Sequence, residues 1–156
     1  MEIPVIIGVG GAIFLGGAGG LMTPIGPWYA NLKKPSLQPP NWLFGPAWTV
    51  ILGLAAWSAI TAWYAADQDW ERSRVICLFS TNAVCHLLWS PLFFRAQRPD
   101  WALVEVVFLW ISLLLLVVLI APISRFASLL IVPYLLWVSF AAWLNWAIVR
   151  LNRPFA

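Results

Sequence analysis

The sequence predicts an all-α fold: an integral membrane bundle of five transmembrane helices with an ordered, lid-like first loop. Three observations carry that reading. First, 62% of the 156 residues are hydrophobic and 10% are charged, with a mean hydropathy of +0.85. Soluble domains are about half apolar and a quarter charged, so lipid must be part of this chain's solvent. Second, the apolar residues fall in five long runs, and a span needs about 20 apolar residues. Third, the runs are continuous rather than alternating, which excludes a β-barrel. Lipid offers the backbone no partner, so each run must be helical. The length suits one domain, residues 1–156.

The first run, 3–23, carries no charge. It is long enough to span, and Met1-Glu2 lacks the basic stretch of a secretory signal. Gly8, Ala12, Gly16 and Gly20 recur at four-residue spacing along it, a stripe that lets another backbone approach closely. The stripe serves a dimer or packing inside the monomer, and internal packing is the expectation. Residues 24–45 hold five prolines and two glycines, which forbid one long helix. Trp28, Tyr29, Leu32, Leu37, Trp42, Leu43 and Phe44 nevertheless need burial. The segment is therefore expected to be a lid packed on one end of the bundle.

The second run, 46–66, carries no charge. The third, 75–94, carries none but holds Asn82, His86 and Pro91. Its cysteines, Cys77 and Cys85, stand about 12 Å apart on a helix, too far to bridge. The fourth, 101–121, holds only Glu105, expected to snorkel or to pair with a loop arginine. The fifth, 126–149, carries no charge. Lys33, Lys34, Arg95, Arg98, Arg150 and Arg153 fall on one side, against Arg72, Arg74 and Arg125 beside Glu2, Asp67, Asp69 and Glu71. That bias puts the N-terminus outside and the C-terminus in the cytoplasm. The net charge of +3 is spread over loops and forms no nucleic-acid patch.

The chain has twelve Trp. Trp63, Trp70 and Trp101 lie near span ends, where Trp forms interfacial belts. Trp28 and Trp42 belong to the lid, and Trp57 and Trp110 can equally face lipid. Others stand beside polar groups at membrane depth. Asn82, His86, Trp89 and Phe93 share one face of the third span. Tyr134, Trp137, Ala141 and Asn145 share one face of the fifth, and Trp48 opens the second. Polar groups at that depth point into the bundle or a cavity, or act as hydrogen-bonding glue between helices. An aromatic cavity with a few polar groups suits a planar, mostly apolar ligand with polar edges. There is one His, with no acidic partner at helical spacing and no Cys-x-x-Cys, so no protein metal site is expected. Neither a phosphate loop nor a Ser-His-Asp set nor paired carboxylates occur.

Several motifs are similar to those of the TspO/MBR family, the tryptophan-rich sensory and translocator proteins. The first loop carries Trp28-Tyr29-x-x-Leu32-x-Lys34-Pro35-Ser36, then Pro39-Pro40-x-Trp42. Gly45-Pro46-x-Trp48 opens the second span, and Trp89-Ser90-Pro91-Leu92-Phe93-Phe94 ends the third. Trp101-Ala102-Leu103-Val104-Glu105 opens the fourth; the fifth carries Pro133-Tyr134-Leu135-Leu136-Trp137 and Leu144-Asn145. The resemblance implies a five-helix bundle, commonly a homodimer, with the first loop closing a pocket. It implies a tetrapyrrole ligand (protoporphyrin IX, haem or bilin) and no obligatory cofactor. The implied pocket positions are Tyr29, Trp42, Trp48, His86, Trp89, Trp137, Ala141 and Asn145. Some members degrade protoporphyrin in light, a reading that would make Trp48 and Trp137 catalytic; transport of porphyrin or sterol-like ligands is a further one.

Two departures stand out. His86 occupies a position where the family usually has Asn, and Asn82 one where it often has Gln. His86 keeps hydrogen bonding and adds a candidate axial ligand for haem iron. Near the C-terminus, Leu144-x-Trp146-x-x-x-Arg150 has Trp where the cholesterol motif has Tyr, which argues against sterol binding.

Overall fold

The computed structural model describes residues 3–155. Met1, Glu2 and Ala156 lie outside it, and with them the reading of Met1-Glu2 and the Glu2 charge. The described residues are helical with no strand, as the composition requires. Helix α1 is Ile3–Leu21, the short α2 is Pro27–Asn31, and α3 is Asn41–Ala65. Helix α4 is Asp69–Ser90, continued by a π-helical turn, Pro91–Arg95. Helices α5, Pro99–Ile120, and α6, Arg125–Asn152, complete the bundle. Five of these (α1, α3, α4 with its π turn, α5 and α6) are long and apolar enough to span a membrane. The chain is a multi-pass integral membrane protein.

Two spans begin earlier than the apolar runs suggest. Helix α4 starts at Asp69, not Val75, because a cap, not hydrophobicity, sets its end. The Glu71 carboxylate accepts from the backbone N–H of Asp67 at 2.9 Å and of Gln68 at 3.1 Å. Asp69 and Glu71 also oppose the positive end of the helix dipole. Helix α3 starts at Asn41, directly after Pro39-Pro40, so 41–45 leave the lid and join a span. Pro46 then sits in the first turns of α3, where its missing N–H costs less than it would in mid-helix. Helix α5 opens with Pro99 in its first turn. Ser124 caps α6 by accepting from Ala127 N–H at 3.2 Å.

The spans pack in a ring: α1 on α3, α3 on α6, α6 on α5, α5 on α4, with a thinner seam from α4 back to α1. The half of the bundle away from the lid is solid. Val75, Leu113, Leu116, Ile120, Ala127 and Ile131 form one buried cluster there. Hydroxyls tie its helices: Ser58 Oγ donates to Ala127 O at 2.7 Å, and Ser128 Oγ to Val117 O at 2.6 Å. The α1 stripe packs inside the monomer at this end. A Cβ built on Gly8 would meet Ile60 Cγ1 at 2.8 Å. Toward the lid, Gly17 and Gly20 have nothing within 4 Å of such a Cβ.

Near the ends of the spans, tryptophans pair with arginines. Arg72 lies over Trp63, Arg74 over Trp70 and Arg98 over Trp101, at 5.7, 4.6 and 4.4 Å. Arg150 over Trp146 at 4.9 Å adds a fourth pair. Trp57 is exposed, against Phe126, and Trp110 Nε1 donates to Ser139 Oγ at 2.8 Å. Glu105 departs from expectation. It neither snorkels nor pairs: the residue is 8% exposed and both carboxylate oxygens lack a partner among the described residues. Helix α5 begins at Pro99, so Glu105 lies nearly two turns inside it, deeper than the apolar run suggests.

Candidate functional site

The lid half of the bundle holds a cavity of about 480 Å³, a size typical of small-molecule sites. Each span contributes one helical face. From α3 come Asn41, Phe44, Gly45, Trp48, Thr49 and Leu52, spaced so that they share a side of the helix. Helix α4 gives His86, Trp89 and Ser90; α6 gives Trp137, Val138, Ala141, Leu144, Asn145 and Ile148. Val106 and Leu109 of α5 add apolar wall. Helix α1 presents Leu15, Gly16, Gly19 and Gly20, and Thr23 follows just past its end. The helix makes room by lacking side chains where the other helices carry rings.

The lid closes on this space. Trp28 and Tyr29 of α2 meet Phe93 edge-on at 6.2 and 6.4 Å, and Tyr29 also meets Phe94 at 5.3 Å. Pro91 cannot donate the helical hydrogen bond, and the chain takes a wider π turn, with Ala96 N–H bonded to Pro91 O at 2.9 Å. That turn puts the neighbouring rings of Phe93 and Phe94 on one docking surface. Lys34 Nζ donates to Tyr29 O at 2.6 Å and lies over the Tyr29 ring at 4.4 Å. Gln38 Nε2 donates to Tyr29 Oη at 2.8 Å. Burial pushes the Tyr29 phenol above its ordinary pKa, partly offset by that bond. Asn152 clamps the lid to α6: its Oδ1 accepts from Lys33 N–H and its Nδ2 donates to Lys33 O, both at 2.8 Å.

Most residues singled out from the sequence meet at the cavity: Tyr29, Trp48, His86, Trp89, Trp137, Ala141 and Asn145 all line it. Two do not. Trp42 is 71% exposed and off the wall, because it sits about 100° around α3 from Asn41. Asn82 is one turn beyond His86, away from the lid, where its Nδ2 donates to Ser112 Oγ at 2.9 Å. It is interhelical glue. Sequence reasoning missed Gln38, Phe44, Phe94 and the α1 glycines. The paired glycines 16–17 and 19–20 were the available signal for the last, since they widen the small face beyond a single stripe.

The interior wall is an aromatic box. Trp48 stands edge-on to His86 at 4.9 Å, to Tyr134 at 5.7 Å and to Trp137 at 6.3 Å. Trp89 stacks on Phe93 at 5.1 Å. Asn145 Nδ2 donates to Pro99 O at 2.9 Å and so joins α6 to α5. Among the described residues, four wall side chains keep a buried polar atom without a partner: Gln38 Oε1, Trp89 Nε1, Trp137 Nε1 and Asn145 Oδ1. Buried polar atoms are normally paired; these two donors and two acceptors are unsatisfied among the described residues. No cluster of three or more His, Cys, Asp or Glu occurs among the described residues. Cys77 and Cys85 are free thiols. The elements of the cholesterol-like motif point apart: Leu144 is buried in the cavity wall, whereas Trp146 is exposed with Arg150 over its ring.

Comparison with known proteins agrees with this architecture. The family model for the TspO/MBR family matches residues 5–151. A tryptophan-rich protein TspO of Archaeoglobus fulgidus is 46% identical over 125 residues, 80% of each chain. Another, of Chlorobaculum tepidum, is 39% identical over 152 residues, 92% of each chain. The human translocator protein is 31% identical over 127 residues, 81% of this chain and 75% of its own. The chain therefore belongs to the TspO/MBR family.

Proposed function

We propose that this protein is a membrane receptor for a tetrapyrrole, held in the lidded cavity, and acts in the sensing, trafficking or regulation of such compounds. The observation that carries the proposal is the lidded cavity of about 480 Å³ walled by Trp48, Trp89, Trp137 and Phe93, with the polar side chains of Gln38, His86 and Asn145 among its lining. A flat apolar ring with polar edges suits that wall: it stacks on or meets the rings and offers hydrogen bonds to the few polar side chains. Membership of a family whose members include a tryptophan-rich sensory protein supports the role. The lid end carries Lys33, Lys34, Arg95, Arg98, Arg150 and Arg153, which favours a cytoplasmic lid. Homodimers are part of the proposal; a sterol ligand is not.

The test is titration of the protein in lipid nanodiscs with protoporphyrin IX and with hemin, following Trp fluorescence. Saturable quenching that weakens in Trp48→Phe and Trp137→Phe is expected. Absence of quenching, or quenching indifferent to both substitutions, contradicts the proposal.

A second reading, light- and oxygen-dependent porphyrin degradation, is favoured by the adjacency of Trp48 and Trp137 at 6.3 Å in the wall. Electron-rich indoles touching an excited porphyrin can donate to it, with dioxygen as the final oxidant. Illumination of the complex would then give a product spectrum that free porphyrin under the same light does not give. Equal bleaching in both removes this reading.

A further inference from the structure

His86 is the only histidine of the chain, and its environment decides what it offers a ligand. Its Nδ1 lies 2.9 Å from Tyr134 Oη. Tyr134 is 2% exposed and stands at 80° to the imidazole. On its other side, His86 Nε2 borders α1: a Cβ built on Gly19 would come within 3.9 Å of it. Both residues belong to the cavity wall.

The proton positions follow from the chain of partners. Ser112 Oγ donates to Leu109 O at 2.7 Å, so its one proton is used. Asn82 must therefore give Ser112 an N–H, at 2.9 Å, which fixes the Asn82 amide. Among the described residues, His86 Nδ1 is the hydrogen-bond partner of the Tyr134 hydroxyl, and a phenol O–H is a better donor than an imidazole N–H. The Tyr134 proton then goes to His86 Nδ1. The reverse assignment, with Nδ1–H donating to Tyr134, strands a buried hydroxyl proton at a cost of about 1–3 kcal/mol. A neutral imidazole that accepts at Nδ1 carries its proton on Nε2.

We propose that Tyr134 holds His86 as the Nε2–H tautomer, so that His86 gives the cavity a hydrogen-bond donor for a ligand oxygen rather than a lone pair for iron. The ligand part rests on the tetrapyrrole reading above; the tautomer does not. With that N–H on His86, a cavity-lining residue, the wall favours a tetrapyrrole presented through its carboxylate or carbonyl oxygens. Tyr134 acts as a positioning residue, through His86.

The decisive measurement is nitrogen-15 NMR of histidine-labelled protein in bilayers, which reads one imidazole. A protonated Nε2 with an unprotonated Nδ1 is expected, turning into a mixture of tautomers in Tyr134→Phe. A protonated Nδ1, an imidazolium, or a Tyr134→Phe spectrum identical to that of the parent overturns the proposal. The second arm compares hemin with protoporphyrin IX, which share carboxylates and differ in iron. His86→Ala should weaken both by a similar factor, about tenfold for one hydrogen bond, without moving the hemin Soret band. His86→Asn, which keeps an N–H donor, should recover most of the loss. A Soret shift with loss of hemin binding alone makes His86 an iron ligand and overturns the proposal. If neither tetrapyrrole binds the parent protein, the functional reading fails, while the NMR result still decides the tautomer.

Discussion

The two halves of this bundle are made from the same five helices and solve opposite problems. Away from the lid, Leu113, Leu116, Ile120 and Ile131 are fully buried and fill the ring. Toward the lid, Trp48, Trp89 and Trp137 stand around a cavity of about 480 Å³. Helix α1 shows the contrast within a single element. At Gly8 the absence of a side chain lets α3 approach to contact distance, whereas Gly16, Gly19 and Gly20 line the cavity. Lipid supplies no hydrophobic drive between helices, so packing has to hold the bundle. The solid half can carry that load and leave the other half free to be hollow.

The largest expected effect separates the halves by stability. Leu116→Ala removes a side chain with 0% exposure and should cost about 2–5 kcal/mol. Leu144→Ala, in the cavity wall, should cost clearly less, since its site already borders space. Unfolding of both variants in the same bilayer mimetic tests the ordering. Equal losses would mean the lid half is packed after all.

Next comes the glycine comparison. Gly8→Ala places a methyl 2.8 Å from Ile60 Cγ1, an overpacking worth about 1–3 kcal/mol. Gly19→Ala meets His86 Nε2 at an ordinary 3.9 Å and should leave stability unchanged or slightly raised, because Ala is the better helix former by about 1 kcal/mol. Thermal unfolding of the pair reads the sign directly.

The smallest effect concerns the lid. Asn152→Ala removes both bonds to Lys33, each worth about 1 kcal/mol net. Global unfolding should hardly change, but protease cleavage within 32–39 should accelerate. An unchanged cleavage rate would show that the aromatic seat on Phe93 and Phe94 holds the lid alone.

The spans were legible because membrane-crossing runs announce themselves by the charges they lack. Their ends were not: the Glu71 cap of α4 and the Pro39-Pro40 turn before α3 set helix starts that hydropathy does not register. Helix α2 was missed, although Pro27 in its first turn was a usable sign. The site divides the same way. Periodicity put His86 with Trp89 and Trp137 with Asn145 on common faces, and the structure joins those faces across one cavity. Periodicity fixes a direction around a helix but no depth, so it could not tell that Asn82 lies beyond the cavity or that Glu105 is sealed in. Nor could it pair His86 with Tyr134, a contact set by the relative height of α4 and α6. Trp42, drawn into the pocket by resemblance, lies off the face that α3 turns inward.

If the hollow half is the binding half, filling it should weaken binding without unfolding the bundle. Equilibrium titration with protoporphyrin IX of the parent protein and of Gly19→Leu, both in nanodiscs and both checked for intact folding, measures this. Saturable binding by the parent and at least about tenfold weaker binding by Gly19→Leu, whose side chain would enter the cavity beside His86, is the predicted result. Equal binding by the two proteins would place the ligand elsewhere and contradict the account.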